Sequence, residues 1–252
     1  MDFISELKED IISTLKTPSE TANRIKTKGD YTYGLKVLIA VFVIGYLLNG
    51  LFSFIGGILS SLASLPSGME DVILYLVAVT IGFIFVYVII FFLALVFNII
   101  YQFIFTGVTW GVGRLLGGKA TYSRFFGSLM LAVSAVSIVL TIILSILNLL
   151  SGVIDASTLI IGPVSEVISI VVALISLVVI GVFLLVSIYY ETIFTREVHE
   201  ISTGKALISV LVPTLLVIGL VALIMIVIIL FFGFTLMSLQ DQVSGYSMFP
   251  GF

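Results

Sequence analysis

The chain has 252 residues, of which 60% are hydrophobic and 10% charged, with a formal net charge of −3 and no cysteine. Soluble domains carry roughly 25% charged residues, and a globular core of this size cannot hide so much apolar surface. The composition therefore excludes a soluble protein, and the missing cysteine excludes a disulfide framework and a thiolate metal site.

Five stretches contain no charge: 37–69, 72–113, 125–154, 167–190 and 206–240. About 20 apolar residues cross the hydrocarbon, so each stretch can hold a transmembrane helix. The eleven Lys and Arg residues fall only in the first 36 residues, in 114–124 and in 196–205. Five spans put all of them on one side, which the positive-inside rule makes cytoplasmic. The expected fold class is all-α, a polytopic integral membrane helical bundle of five transmembrane helices preceded by a short cytoplasmic amphipathic N-terminal helical segment. That segment covers 1–35, the membrane domain 36–236 and an external C-terminal tail 237–252. The start is acidic (Asp2, Glu6, Glu9, Asp10) and the first apolar run opens only at Val37. Insertion is thus expected to use the first span as an uncleaved signal.

In the N-terminal segment, Phe3, Ile4, Leu7, Ile11, Ile12 and Leu15 follow helical spacing. Such a helix lies on the membrane surface or packs on the protein itself. Its acidic polar face favours self-packing. Thr17-Pro18-Ser19-Glu20 reads as a capping box with proline at the first helical position. The helix it opens carries Arg24, Lys26 and Lys28 and stops at Gly29.

Span 1, about 37–64, follows Tyr31 and Tyr33, residues suited to an interfacial belt. Its small residues recur at Gly45, Asn49, Ser53, Gly57 and Ser61, with Gly56, Ser60 and Ser64 beside them. This seam suits intramolecular helix packing, with a homo-oligomer face as the other use. Leu65-Pro66-Ser67-Gly68 ends the span, and Glu70 and Asp71 mark the outside. The run 72–113 has 42 residues, nearly enough for a hairpin. A hairpin would split the basic residues six to five, so one span, about 72–100, is expected. The surplus, with Asn98, Tyr101, Gln102, Thr106 and Trp110, fits an interfacial helix.

Spans 3, 4 and 5 occupy about 125–150, 167–190 and 207–236, the last with a kink expected near Pro213. The connection 151–166 is outside and the loop 191–205 inside. Gly118-Lys119-Ala120 and Gly204-Lys205-Ala206 precede spans 3 and 5, a short internal echo.

Chemistry is sparse. No Asp, Glu, Lys, Arg or His falls in the middle of a predicted span, which argues against a coupled ion transporter. His199-Glu200 begins a zinc-protease pattern, but Thr203 stands where the second His is needed. With one His in the chain, a serine peptidase lacks its base; His199 reads as part of a solvated charged loop. Gly113-Arg114-Leu115-Leu116-Gly117-Gly118-Lys119 lacks the spacing and final Lys-Ser/Thr of a phosphate-binding loop and reads as a turn.

Three segments carry a family resemblance: Thr17-Pro18-Ser19-Glu20-Thr21-Ala22-Asn23-Arg24-Ile25; the Gly-Gly turn in Trp110-Gly111-Val112-Gly113-Arg114-Leu115-Leu116-Gly117-Gly118-Lys119-Ala120-Thr121-Tyr122; and His199-Glu200-Ile201-Ser202-Thr203-Gly204-Lys205-Ala206 followed by Pro213. Over about 15–235 the chain resembles the Yip (Ypt/Rab-interacting protein) domain family of five-span membrane proteins, in its compact prokaryotic form. Eukaryotic members carry Asp-Leu-Tyr-Gly-Pro before span 1, where this chain has Gly29-Asp30-Tyr31-Thr32-Tyr33-Gly34. In eukaryotes the family is associated with small prenylated GTPases and vesicle trafficking.

The expected function is a non-enzymatic membrane scaffold, adaptor or membrane-organising protein without a cofactor. Its contacts with anionic headgroups or a partner are expected at Arg24, Lys26, Lys28, Arg114, Lys119, Arg124, Arg196 and Lys205. Expected partners are membrane lipid, a protein at the cytoplasmic face and a second copy of the chain, with no nucleic acid. The alternative is a channel or permease subunit for a small or neutral solute. A continuous polar groove through Asn49, Asn98, Asn148 and the Ser/Thr faces would favour that alternative; packed small-residue seams would favour the scaffold.

Overall fold

A computed structural model describes residues 3–63, 72–156 and 163–246. They form α1 (Phe3–Lys16), α2 (Pro18–Lys28), α3 (Tyr31–Ala63), α4 (Val72–Leu115), α5 (Tyr122–Ala156), α6 (Pro163–His199) and α7 (Thr203–Tyr246). The described residues are all-α, and α3 to α7 are five helices long and apolar enough to cross a membrane. Inside lipid each peptide group needs a partner within the chain, and a helix supplies one locally. That is why the charge-free runs become unbroken helices.

The run 72–113 forms one helix of 44 residues, α4. At 1.5 Å per residue it rises about 66 Å, roughly twice the hydrocarbon thickness. No turn interrupts it, so a hairpin is excluded. The expected break at 65–68, with Glu70 and Asp71, lies outside the described residues, as do 157–162 of the outer connection.

The helices run beyond the expected spans, most of all at two places. The expected loop 191–205 is corrected: α6 continues through His199, leaving a turn at 200–202. Glu200 takes φ 57°, and the Ile201 N–H donates to Arg196 O at 3.2 Å. The end of α4 repeats this geometry, with Gly117 at φ 97° and the Gly118 N–H donating to Gly113 O at 2.9 Å. Both are left-handed C-caps closed by a bond five residues back in the Schellman manner. The second shift is at α7, which runs to Tyr246 rather than ending near 236.

The capping box is also corrected. Thr17 precedes α2 and Pro18 opens it, but the Thr17 side chain makes no cap bond. Its hydroxyl donates backwards to Ser13 O at 3.3 Å. The Thr17 N–H already bonds Ser13 O at 2.7 Å, so the helical path barely pauses between α1 and α2 and holds the hydroxyl against the last turn of α1.

Two compact units make up the chain, Met1–Val210 and Leu211–Phe252. The described residues of the second, 211–246, belong to α7, which contains Pro213. Lacking an N–H, Pro213 cannot donate to Ser209 O four residues back.

The first half of α5 is the centre of the first unit. Phe125, Phe126, Leu129, Met130, Leu131 and Ala132 are fully buried. Leu131 and Ala132 pack with Leu7, Ala22, Ile25, Val37 and Phe194, which joins α1, α2, α3 and α6 in one cluster. The N-terminal helix therefore packs on the protein itself. Its buried line is Leu7, Asp10 and Thr14, whereas Ile4 and Ile12 of the expected stripe are exposed. The stripe turns because Asp10 carries ties to two other helices and draws its own face inward.

Lower down the bundle, α3 and α5 approach through small residues. A Cβ on Gly152 would lie 2.6 Å from Gly56 Cα, and one on Gly45 would lie 3.3 Å from Thr141. Gly57 has open space around it, and the side chains of Ser60, Ser61 and Ser64 lie outside the described set. The expected seam is thus intramolecular at Gly45 and Gly56.

Candidate functional site

At the charged end of the first unit, seven of the eight singled-out cations are tied to the chain's own groups. Arg24 Nη2 donates to Asp10 Oδ1 at 2.6 Å and to Ser13 Oγ at 2.8 Å. Asp10 is 4% exposed and also accepts from Tyr33 Oη at 2.7 Å. One carboxylate on α1 therefore holds α2 and α3. Sequence reading placed Asp10 among generic polar-face acids and Tyr33 in an interfacial belt. Its i,i+3 relation to Leu7 on the apolar stripe was the available signal.

Glu197 plays the same part on α6. It accepts from Ser19 Oγ at 2.6 Å and Asn23 Nδ2 at 3.0 Å, and Arg196 Nε donates to it at 3.1 Å. Burial alone would make this carboxylate costly; the Arg196 charge and three donors offset that cost. Glu200 lies between Lys26 at 3.6 Å and Lys119 at 3.7 Å. Lys28 lies 3.9 Å from Glu6. Exposed pairs of this kind are worth about 0–1 kcal/mol each. Arg124 is exposed and makes no ion pair among the described residues.

The remaining two cations bond carbonyls. Arg114 Nη1 donates to Gly118 O at 3.2 Å, and Lys205 Nζ to Leu116 O at 2.9 Å. The Lys119 N–H donates to His199 O at 3.1 Å. The α4–α5 and α6–α7 turns thus hold each other through Lys119 and Lys205, the lysines of the Gly-Lys-Ala echo.

His199 is the second correction at this end. It is fully buried, not solvated, with its ring 4.7 Å from that of Phe125. Gly113 and Gly118 make the space, since a Cβ on Gly113 would lie 2.9 Å from Nε2. Neither ring nitrogen has a hydrogen-bond partner among the described residues. Glu191 is buried too, with Oε2 unpartnered. Among the described residues no three His, Asp or Glu side chains form a metal-ligating group.

The expected interfacial stretch of α4 packs inward as well. Gln102, Thr106 and Thr109 are buried. Trp110 Nε1 donates to Ala120 O at 3.0 Å, and Tyr122 Oη to Phe103 O at 2.9 Å. Side chains suited to headgroups instead close the α4–α5 hairpin.

Between α3, α4 and α5 lies an open cleft of about 340 Å³. Asn49, Asn98, Gln102, Ser137, Thr141 and Asn148 supply its polar lining, and no Asp, Glu, Lys, Arg or His takes part. Asn148 Nδ2 donates to Asn49 Oδ1 at 3.0 Å. Along α3 the cleft runs from Leu38 to Asn49, about 16 Å at the helical rise.

Comparison with protein-family models, with curated proteins and with solved structures finds no match to this chain. Five long apolar helices define it as a multi-pass membrane protein.

Proposed function

We propose that the chain is a non-enzymatic membrane scaffold or adaptor that organises membrane or partners through its charged end. Its resemblance to the Yip domain family supports this reading and sets it in membrane trafficking. In that reading the charged end is cytoplasmic and the C-terminus external, as the basic residues suggest. One observation carries it: α1 and α2 are locked onto α3 and α6 by Asp10 and Glu197. Cations around this base keep much of their surface, with the Lys28 side chain 63% and Lys119 78% exposed. Near an anionic surface each such group is worth about 1 kcal/mol.

Cross-linking in native membranes followed by identification of the captured species tests the proposal. A protein or anionic lipid is expected, with capture reduced when Lys28, Lys119 and Arg124 are changed together to Gln. Recovery of bulk lipid alone, with solute conduction by the reconstituted protein, would overturn it. A second reading, a permease subunit for a small neutral solute, is favoured by the cleft that joins Asn49, Asn98 and Asn148.

A further inference from the structure

We infer that the α3–α4–α5 cleft is a binding site for an uncharged, hydroxyl-rich group: a free polyol, or the glycerol or sugar head of a neutral lipid. Its volume, about 340 Å³, lies at the small end of ligand sites, which run from about 300 to 1,000 Å³. Four carboxamides, Asn49, Asn98, Gln102 and Asn148, face it with the hydroxyls of Ser137 and Thr141. A carboxamide offers both donor and acceptor without charge, which matches a hydroxyl that also does both. An ion would meet no counter-charge in this lining, and removing its hydration there is expensive.

Gln102 is the strongest single indication. It is 8% exposed, its Oε1 has no hydrogen-bond partner among the described residues, and it lines the cleft. A buried acceptor left unmatched is costly, so a donor from a ligand would recover that loss. Asn98 lies one helical turn before Gln102 and on the same face of α4. The opposite wall has apolar Leu38, Phe42 and Val133, which suit the carbon side of a polyol or the upper part of an acyl chain. Asn49 lies thirteen residues beyond Lys36, about 20 Å along α3. The cleft therefore reaches well into a hydrocarbon layer of about 30 Å, where unpaired polar side chains are functional markers.

The site deepens the permease reading but does not depend on it, because a retained neutral lipid would occupy the same groups. Purified protein in liposomes separates the two sources. One arm measures glycerol-driven reswelling by stopped-flow light scattering; the other measures labelling by photoactivatable diacylglycerol, with photoactivatable phosphatidylserine as the charged control. We expect at least one arm to exceed protein-free liposomes or the charged control by tenfold or more. Gln102→Met and Asn98→Leu should each reduce that signal several-fold. Gln102→Met should not lower thermal stability, since it removes a buried acceptor that bonds nothing in the fold; half-buried Asn98 serves as the independent variant if it does. Flux without labelling assigns a free solute, and labelling without flux a lipid head. Signals at background in both arms, insensitivity to both substitutions, or equal labelling by phosphatidylserine would each overturn the site. None of these outcomes bears on partner capture by Lys28, Lys119 and Arg124.

Discussion

Arg24 and Asp10 meet at 2.6 Å across the α1–α2 corner, and the carboxylate is almost completely buried while the guanidinium is 40% exposed. The exposed partner can rehydrate when the pair is broken; Tyr33 Oη, which also donates to Asp10, is less free to do so. Asp10→Ala is expected to cost about 2–4 kcal/mol, toward the low side of a fully buried pair. Asp10→Asn, which keeps an acceptor for Tyr33, should cost less. Thermal unfolding in detergent, with limited proteolysis of residues 3–28, measures both. Equal stability of Asp10→Ala and wild type would remove the pin from the account.

Gly127 in α5 lies against the α2–α3 corner. A Cβ there would stand 2.7 Å from Asp30 O and 2.9 Å from Gly29 C. Both are backbone atoms and cannot rotate away. Gly127→Val should therefore destabilise the protein by at least about 1–3 kcal/mol through overpacking. Gly57→Ala, with nothing within 4 Å, should be neutral or gain up to about 1 kcal/mol from helix propensity. The two melting temperatures in the same detergent decide the matter, and a Gly127→Val protein as stable as wild type would refute the close approach.

Glu200 sets two small effects against each other. Its left-handed backbone costs a residue with a Cβ about 1–2 kcal/mol. Its bridges to Lys26 and Lys119 are exposed and worth about 0–1 kcal/mol each. Glu200→Gly relieves the first while losing the second, and should change stability by less than about 1 kcal/mol. Glu200→Ala loses the bridges without relief and should be the less stable variant. The reverse order in a denaturation series would contradict this balance.

The topology is open to direct labelling because the chain has no cysteine. Single cysteines at Ser67, Ser157 and Ser244 should react with an impermeant maleimide from outside intact cells. Those at Ser19, Thr121 and Thr203 should react only after permeabilisation. Labelling of Thr121 from outside would invert the α4–α5 turn and defeat the cytoplasmic assignment.

Sequence patterning reached the helices because their causes are local. A charge-free run must satisfy its own peptide groups, and it does so with bonds four residues apart. The 42-residue run became one helix, as the basic residues required. Self-packing of the first helix was legible from its acidic face, and about 37–64 was legible as a span. Boundaries were less so. The loop at 191–205 shrank because the end of α6 is stabilised by packing: Phe194 and His199 are fully buried among α1, α2 and α5, and polarity along the chain does not record that.

The candidate sites divide the same way. Asn49, Asn98 and Asn148 were recognisable as polar residues out of place in apolar runs, and the cleft gathers all three. Gln102 was assigned to an interface, because nothing in its neighbours along the chain tells that its helix turns it toward α3 and α5. By itself the sequence determined that this protein crosses a membrane with five helices and where its charges can collect. Only the tertiary structure decided what those charges do. Ser19 and Glu197 are 178 positions apart and bond at 2.6 Å, and such a partnership depends on helix rotation and approach, quantities that hydropathy does not contain.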